Sequence, residues 1–130
     1  MRRALSLAAA FLLSSCTQLP DTVGEAAPDG TLWQLAEVDD TAVAYSATLQ
    51  LYSSGLVRGA GPCNRFEGRQ DAPLPWVAFS ALAATKRACP ELEAESTYLA
   101  LLGEMDFAEV QADNMLLTNA AGRSMFFKAR

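Results

Sequence analysis

The chain has 130 residues, about half of them apolar, which suits one domain with a real hydrophobic core. It is acidic, with 15 Asp and Glu against 10 Lys and Arg, and it contains no histidine. The absence of a basic stripe argues against a partner that is nucleic acid and against electrostatic docking on anionic lipid. The absence of histidine removes the usual general base near neutral pH and the commonest metal ligand, so we expect no metal and no cofactor.

The N-terminus has the pattern of a bacterial lipoprotein signal peptide. A basic start precedes an apolar run over residues 4–13, which is too short to cross the ~30 Å hydrocarbon core of a membrane. The run ends in Leu13, Ser14, Ser15 and Cys16, which resembles a lipobox. This resemblance implies cleavage between Ser15 and Cys16, a diacylglyceryl thioether on Cys16, and an acyl chain such as palmitate on its freed amine. Several acyl chains make a stable anchor, since each buried methylene contributes about 0.8 kcal/mol.

Cleavage would remove residues 1–15, including Arg2 and Arg3. The mature chain would then carry 15 acidic and eight basic residues, a net charge of −7. Thr17 favours sorting to the outer membrane if the source is Gram-negative, where an Asp at this position would favour the inner membrane. We therefore expect a lipid-anchored protein of the cell envelope, in the outer membrane and facing the periplasm. Residues 16–30 are rich in breakers of regular structure and predict a flexible tether after the lipidated cysteine.

The folded domain is predicted to span residues 31–130. Its first half has the alternating apolar and polar residues, and the intervening turns, that are typical of short strands. Strands are predicted over residues 32–38, 47–52, 56–59, 65–69 and 76–79, with a tight turn at residues 53–55. Residues 81–85 are compatible with either an extended or a helical conformation.

One helix is predicted to start at Pro90, with Glu91, Glu93 and Glu95 near its positive end. We interpret these glutamates as a solvated helix start rather than as paired catalytic carboxylates. The apolar stripe of the helix contains Leu92, and further strands follow over residues 107–110, 115–118 and 124–128. The fold class is therefore α+β: a strongly curled antiparallel sheet (a partial barrel) of about seven or eight short strands packed on one main helix.

Cys63 and Cys89 are the two cysteines of the mature chain besides Cys16. Paired thiols oxidise in exported compartments, so we predict a Cys63–Cys89 disulfide, which would stabilise the fold by roughly 3–4 kcal/mol on the chain-entropy model. Two alternatives stay open. Lys86 and Arg87 lie beside Cys89 in the sequence and favour a reactive thiolate. A metal site on two cysteines has weak support, since there is no histidine and no Cys-x-x-Cys spacing.

Residues 59–68 pack three glycines, a proline and Cys63 between two predicted strands. A phosphate-binding loop would need a Lys-Ser/Thr ending and a following helix, and both are missing. A strained turn or bulge between strands is the better interpretation. We expect Asn64 and Arg65 to lie at its surface, where they are candidate residues of a binding rim.

Several of these segments occur together as a family signature. Trp33-x-Leu35 comes first, followed by Gly61-Pro62-Cys63-Asn64-Arg65-Phe66-x-Gly68, Thr85-x-x-x-Cys89-Pro90, Glu95 and a closing hairpin over residues 114–127. In this order they resemble the META domain family, which includes the heat-shock protein HslJ. The resemblance covers residues 31–130, and Pro62, between the glycine and the cysteine, departs from the pattern.

The resemblance implies a curled sheet fold and an envelope or secreted protein, and it brings no catalytic residues. We expect a non-enzymatic lipoprotein that binds a partner or ligand and supports envelope stress tolerance. One alternative is a periplasmic inhibitor, similar in layout to small disulfide-bonded lysozyme inhibitors, or a lipoprotein that binds a small ligand. An acidic chain facing basic lysozyme suits the inhibitor. A less favoured alternative is a thiol-redox protein built on Cys63 and Cys89.

Overall fold

A computed structural model describes residues 16–130. The predicted signal peptide, including Ser15 of its cleavage site, lies outside the described residues. The described part contains one α-helix, a short 3-10 helix at Val23–Glu25 and nine strands, one of which has only two residues. In chain order the elements are β1 (Trp33–Val38), β2 (Thr41–Ala42), β3 (Thr48–Leu51), β4 (Leu56–Ala60), β5 (Arg65–Arg69), β6 (Ser80–Ala84), α1 (Leu92–Gly103), β7 (Phe107–Gln111), β8 (Asn114–Thr118) and β9 (Ser124–Ala129).

All the strands belong to one antiparallel sheet that curls into a half-barrel. The order across the sheet is β6-β5-β4-β3-β1-β9-β8-β7, and the two-residue β2 pairs with β1. The first strand lies near the middle, between β3 and β9. The chain runs outward from it through β3, β4, β5 and β6, and then returns inward from the opposite edge through β7, β8 and β9. The α+β class, the curled sheet and the single main helix are as predicted.

The two ends of the sheet, β6 and β7, differ in how they are covered. The backbone N–H of Val77 donates to the carbonyl of Asp106 (2.9 Å), and that of Ala108 donates to the carbonyl of Pro75 (2.8 Å). Residues 75–77 therefore lie along the edge of β7. Within residues 16–130, no strand pairs with the outer side of β6.

The hydrophobic core fills the inside of the curl. Alternation along the strands points Trp33, Leu35 and Phe127 inward, and each is nearly free of solvent exposure. The helix α1 closes the core with Tyr98, whose hydroxyl donates to the carbonyl of Thr48 (3.2 Å). Other buried apolar side chains are Leu49, Leu51, Val57, Phe66, Leu101, Leu102, Met105, Met115, Leu117 and Met125.

The structure corrects the predicted tether over residues 16–30. Val23 is only 2 % exposed and belongs to the core, and Thr22 forms a single bridge with Pro73. Gly24 packs so closely on the backbone of Tyr52 that an added Cβ would lie 2.3 Å from its carbonyl oxygen. The second half of the predicted tether is therefore part of the domain. Besides the buried Val23, backbone hydrogen bonds hold it, from Leu74 N–H to the carbonyl of Asp21 (2.8 Å) and from Gly30 N–H to the carbonyl of Leu51 (3.3 Å). Residues 16–20 are exposed.

Two further corrections concern the segment before the helix and the helix itself. The strand predicted over residues 76–79 does not form, and β6 occupies the neighbouring residues that the sequence left undecided. The reason is that Ala78 donates its N–H to the buried side chain of Gln70 (2.6 Å) instead of to a strand. In α1, Leu92 is 41 % exposed, whereas Glu95 is buried. Glu95 faces the interior because polar groups that hydrogen-bond to it lie there.

Candidate functional site

The turn between β4 and β5 is joined to the start of α1 by a disulfide. Cys63 and Cys89 are bonded, with their Cα atoms 5.7 Å apart, which confirms the predicted pair. The turn itself is closed by a hydrogen bond from the N–H of Gly61 to the carbonyl of Asn64 (2.8 Å). The sequence prediction of a turn linking two strands is correct, and the disulfide connects this turn to the segment that leads into the helix.

Glu95 projects from α1 into this turn and is only 3 % exposed. Its Oε2 accepts hydrogen bonds from the backbone N–H groups of Cys63 (2.8 Å) and Asn64 (2.7 Å). Its Oε1 accepts a third from the side-chain amide of Asn64 (2.6 Å). A Cβ at Gly61 would lie 2.5 Å from Oε2 of Glu95, so only glycine at this position lets the carboxylate reach the turn. The interpretation of Glu95 as a solvated residue of the helix start is therefore wrong.

Asn64 is the centre of the same network and is only 5 % exposed. Its Nδ2 donates to Glu95 and to the carbonyl of Arg87 (2.9 Å). Its Oδ1 accepts from the hydroxyl of Thr85 (2.8 Å) and from the N–H of Arg87 (2.6 Å). All four hydrogen-bonding positions of the amide are filled. The prediction that Asn64 lies at the surface is wrong; it is a buried clamp that holds the backbone of Arg87 as a neighbouring strand would.

The ionised form of Glu95 is favoured in this network. Burial by itself raises the pKa of the Glu95 carboxyl. The side-chain and backbone hydrogen bonds from Asn64 and the backbone hydrogen bond from Cys63 together outweigh that effect, so the pKa lies below its ordinary value. The group is thus a fixed carboxylate whose lone pairs are already engaged, and it is poorly suited to act as a general base.

The surface above the network carries positive charge. Arg65 is exposed, as predicted, and Lys86 and Arg87 are exposed next to it in the structure. The three ion pairs within residues 16–130 involve other cations, so these three have no carboxylate partner there. A groove of about 380 Å³ lies beside them, between the end of β6 and α1. Its apolar part includes Leu92 and Leu99.

The remaining sequence predictions fall outside this site. Cys16 is exposed and unpaired at the start of the described residues. Across residues 16–130 there is no cluster of three or more side chains that could hold a metal ion. In the same part of the chain, no helix has the length and apolarity that a membrane span requires.

Sequence reasoning missed the buried network but contained a signal for it. Glu95, Thr85 and Asn64 all belong to the family signature in the sequence, yet alternation alone gives no reason to bring them together. A glutamate on the core side of an amphipathic helix needs a partner. The glycine at 61 and the amide at 64 supply the space and the donors.

A comparison with models of known protein families identifies the family of this chain. The family model described as META domain matches residues 26–130. This chain belongs to the META domain family. The match begins at residue 26, a few residues before the predicted boundary at Thr31.

Two solved structures are similar to this META domain protein. One is a protein from Burkholderia xenovorans solved by NMR, which is 26 % identical, with 99 % of this chain and 97 % of that chain covered and a TM-score of 0.66. The other, also solved by NMR, is 21 % identical, with 77 % of this chain and 89 % of that chain covered and a TM-score of 0.59; at this identity the likeness shows the fold alone. A comparison with curated proteins gives no match.

Proposed function

We propose that this META domain protein is an envelope lipoprotein, anchored through Cys16, whose domain is a non-enzymatic binding module that supports envelope stress tolerance. The proposal rests on a contrast between the buried and the exposed polar residues around the disulfide. The buried ones, Asn64 and Glu95, bond to each other and to backbone, and so fix the turn. The exposed ones, Arg65 and its neighbours, have no ion-pair partner within residues 16–130 and are presented on a rigid support. A rigid base with exposed charge suits recognition better than catalysis.

Two features support the exported, anchored state. Disulfides such as Cys63–Cys89 persist in oxidising compartments and are rare where thiols are kept reduced. Cys16 is exposed, and the first buried core residue, Val23, follows seven positions later. The intervening residues are long enough to hold the domain off a bilayer, since an extended chain covers about 3.3 Å per residue.

The anchor is tested by fractionating cells that express the full chain. We expect the wild-type protein in the membrane fraction and Cys16→Ala in the soluble fraction, because the variant cannot be acylated. Retention of Cys16→Ala in the membrane pellet would show that the anchor assignment is wrong. Thr17→Asp is a matched control in a Gram-negative host, where it should keep the protein membrane-bound but move it toward the inner membrane.

Binding is tested by capturing partners from envelopes with the anchored protein. We expect Arg65→Ala, which changes an exposed side chain, to fold normally and to capture less of the partner. Unchanged capture would remove Arg65 from the binding surface. An assay of lytic enzymes in the presence of the protein separates this function from the inhibitor alternative, because only an inhibitor lowers their activity.

A further inference from the structure

The edge strand β6 is unusual in carrying little protection. Exposed edges commonly have charged residues, prolines or bulges that prevent pairing with another chain. Ser80–Ala84 contains only serine, leucine and alanine, and its protective feature is a bulge around Ala81, where φ is +52°. The cations Lys86 and Arg87 follow after the strand and discourage pairing with another positively charged edge. The bulge lies at the start of the strand. Residues 82–87 beyond it continue along β5.

The backbone N–H and C=O groups of these residues have hydrogen-bond partners on one side of the chain and, within residues 16–130, are free on the other. Thr85 donates its N–H to the carbonyl of Arg65 (3.0 Å), and the side chain of Asn64 binds both backbone groups of Arg87. In an antiparallel ladder successive residues point their N–H and C=O groups in opposite directions. The backbone groups of Ala84 and Lys86 therefore point away from β5. Those of Lys86 have no hydrogen-bond partner within residues 16–130.

Ala84 and Lys86, whose backbone groups point away from β5, both line the groove beside α1. The groove has about 380 Å³ of space. Its lining combines Ala84 on the edge with Leu92 and Leu99 on the helix, so side chains of an added strand would meet apolar contacts. Leu92 is 41 % exposed here, so part of its side chain is available to a ligand.

The charge around the edge selects the kind of segment that fits. Of the eight cations in residues 16–130, three lie near this edge: Lys86 and Arg87 line the groove, and Arg65 lines an adjacent hollow together with Arg87. They are unpaired in this part of the chain, although acidic residues outnumber basic ones. Glu95 also lines this groove, but its carboxylate is buried and engaged by Cys63 and Asn64. Glu91 and Glu93 line a different groove, beside Tyr45. A positive patch on an acidic protein is complementary to an acidic ligand.

We propose that residues 82–87 bind an extended acidic segment of a partner protein by strand addition along the groove beside α1. The inference rests on the proposed binding function and names its site and the chemistry of the partner. Main-chain hydrogen bonds to Ala84 and Lys86 would hold the segment, and its carboxylates would face the three cations. A second copy of this chain is a poor occupant, because pairing two β6 edges would bring two sets of these cations together.

The test measures binding of a fluorescein-labelled peptide to the full chain solubilised in detergent. The probe is Glu-Val-Glu-Val-Glu-Val, and the control peptide has lysine in place of each glutamate. By fluorescence anisotropy we expect saturable binding of the acidic peptide, weakened by added salt because exposed charges are screened, and no binding of the basic one.

One variant tests the main-chain hydrogen bonds of the proposal, and a second tests its charge complementarity. Ala84→Pro removes an N–H that points away from β5 and should weaken peptide binding about tenfold, the effect of losing one hydrogen bond. Lys86→Gln with Arg87→Gln should weaken binding and reduce its salt dependence. The matched control is Lys128→Gln with Arg130→Gln, which removes two cations at and beyond the end of β9, five strands away, and should leave binding unchanged.

Several outcomes would overturn the inference. These are no binding of the acidic peptide, equal binding by all variants, or equal displacement by inorganic phosphate or phosphatidylglycerol vesicles, which would make this an anion or lipid site. If Ala84→Pro fails to fold, judged by circular dichroism, the charge variant decides alone. Capture of an envelope partner that survives both Ala84→Pro and the Lys86→Gln, Arg87→Gln double variant would leave the proposed binding function standing while removing this site.

Discussion

Replacing Glu95 with Gln is the sharpest test of the network beneath the disulfide. The substitution keeps the size and shape of the side chain and removes only its charge and one acceptor oxygen. In the wild type, this buried carboxylate accepts from two backbone N–H groups, of Cys63 and Asn64, and from the side-chain amide of Asn64. If the carboxylate holds the turn, the loss of charge alone should destabilise the fold.

The size of the effect follows from these three contacts. The oxygen of the new amide can still accept from both backbone N–H groups, but its NH₂ then faces Nδ2 of Asn64, donor against donor. Asn64 cannot turn its amide over, because its Oδ1 already accepts from the N–H of Arg87 (2.6 Å). One hydrogen bond to a charged group is lost and two are weakened. At about 1.5–3 kcal/mol for each such bond, we expect Glu95→Gln to lower the free energy of unfolding by about 2–4 kcal/mol.

Urea unfolding of the oxidised protein at neutral pH, followed by circular dichroism, measures this difference. The matched control is Glu93→Gln on the same helix, where the side chain is exposed and makes no hydrogen bond within residues 16–130. We expect the control to change the free energy of unfolding by less than about 0.5 kcal/mol. A Glu95→Gln variant as stable as the control would refute the role assigned to the carboxylate.

The same pair of proteins should differ in pH dependence. The folded-state pKa of Glu95 lies below its ordinary value of 4.5, since the hydrogen bonds from Asn64 and Cys63 outweigh the effect of burial. Its contribution to stability is therefore complete above the unfolded pKa and is lost as the pH falls through the folded pKa. We expect the stability gap between wild type and Glu95→Gln to be constant near neutral pH and to narrow below about pH 4.5. A gap that widened in acid would contradict the assigned direction.

Other predictions concern the residues around this network. Replacing both Cys63 and Cys89 with Ala should lower the free energy of unfolding by about 3–4 kcal/mol, from a chain-entropy estimate for this loop, as measured in urea without reductant. Asn64→Asp places a second carboxylate against Glu95, so urea unfolding should show a loss of about 3 kcal/mol at neutral pH that is partly regained in acid as the pair takes up a proton. Gly59→Ala should destabilise, because its Cβ would lie 2.3 Å from Cζ of Phe66. Gly103→Ala, where no atom lies within 4 Å of the added Cβ, should instead raise the free energy of unfolding by about 0.5–1 kcal/mol and so raise the thermal midpoint. Equal changes in the two alanine variants would contradict the close packing at Gly59.

The strands and the disulfide were predictable because local pattern carries them. The apolar side chains of Trp33 and Leu35 alternate with a polar residue, and alternation directly reports which face of a strand is buried. Two cysteines besides Cys16 leave one pairing within the predicted mature chain. Val23 was missed because a single apolar residue among breakers has no period. Its burial depends on its neighbour Thr22, which forms a bridge with Pro73, about fifty residues later in the chain.

The sequence by itself determined the α+β class, the family resemblance, the Cys63–Cys89 pair and the exposure of Arg65. Only the tertiary structure decided that Asn64 is a buried clamp rather than a rim residue, and that Glu95 is a buried carboxylate that accepts hydrogen bonds from the turn. The physical reason is that a polar side chain is buried only where distant groups satisfy its hydrogen bonds, and the donors to Glu95 come from more than thirty residues earlier. Spacing along a helix reports which residues share a face. It does not report what that face meets.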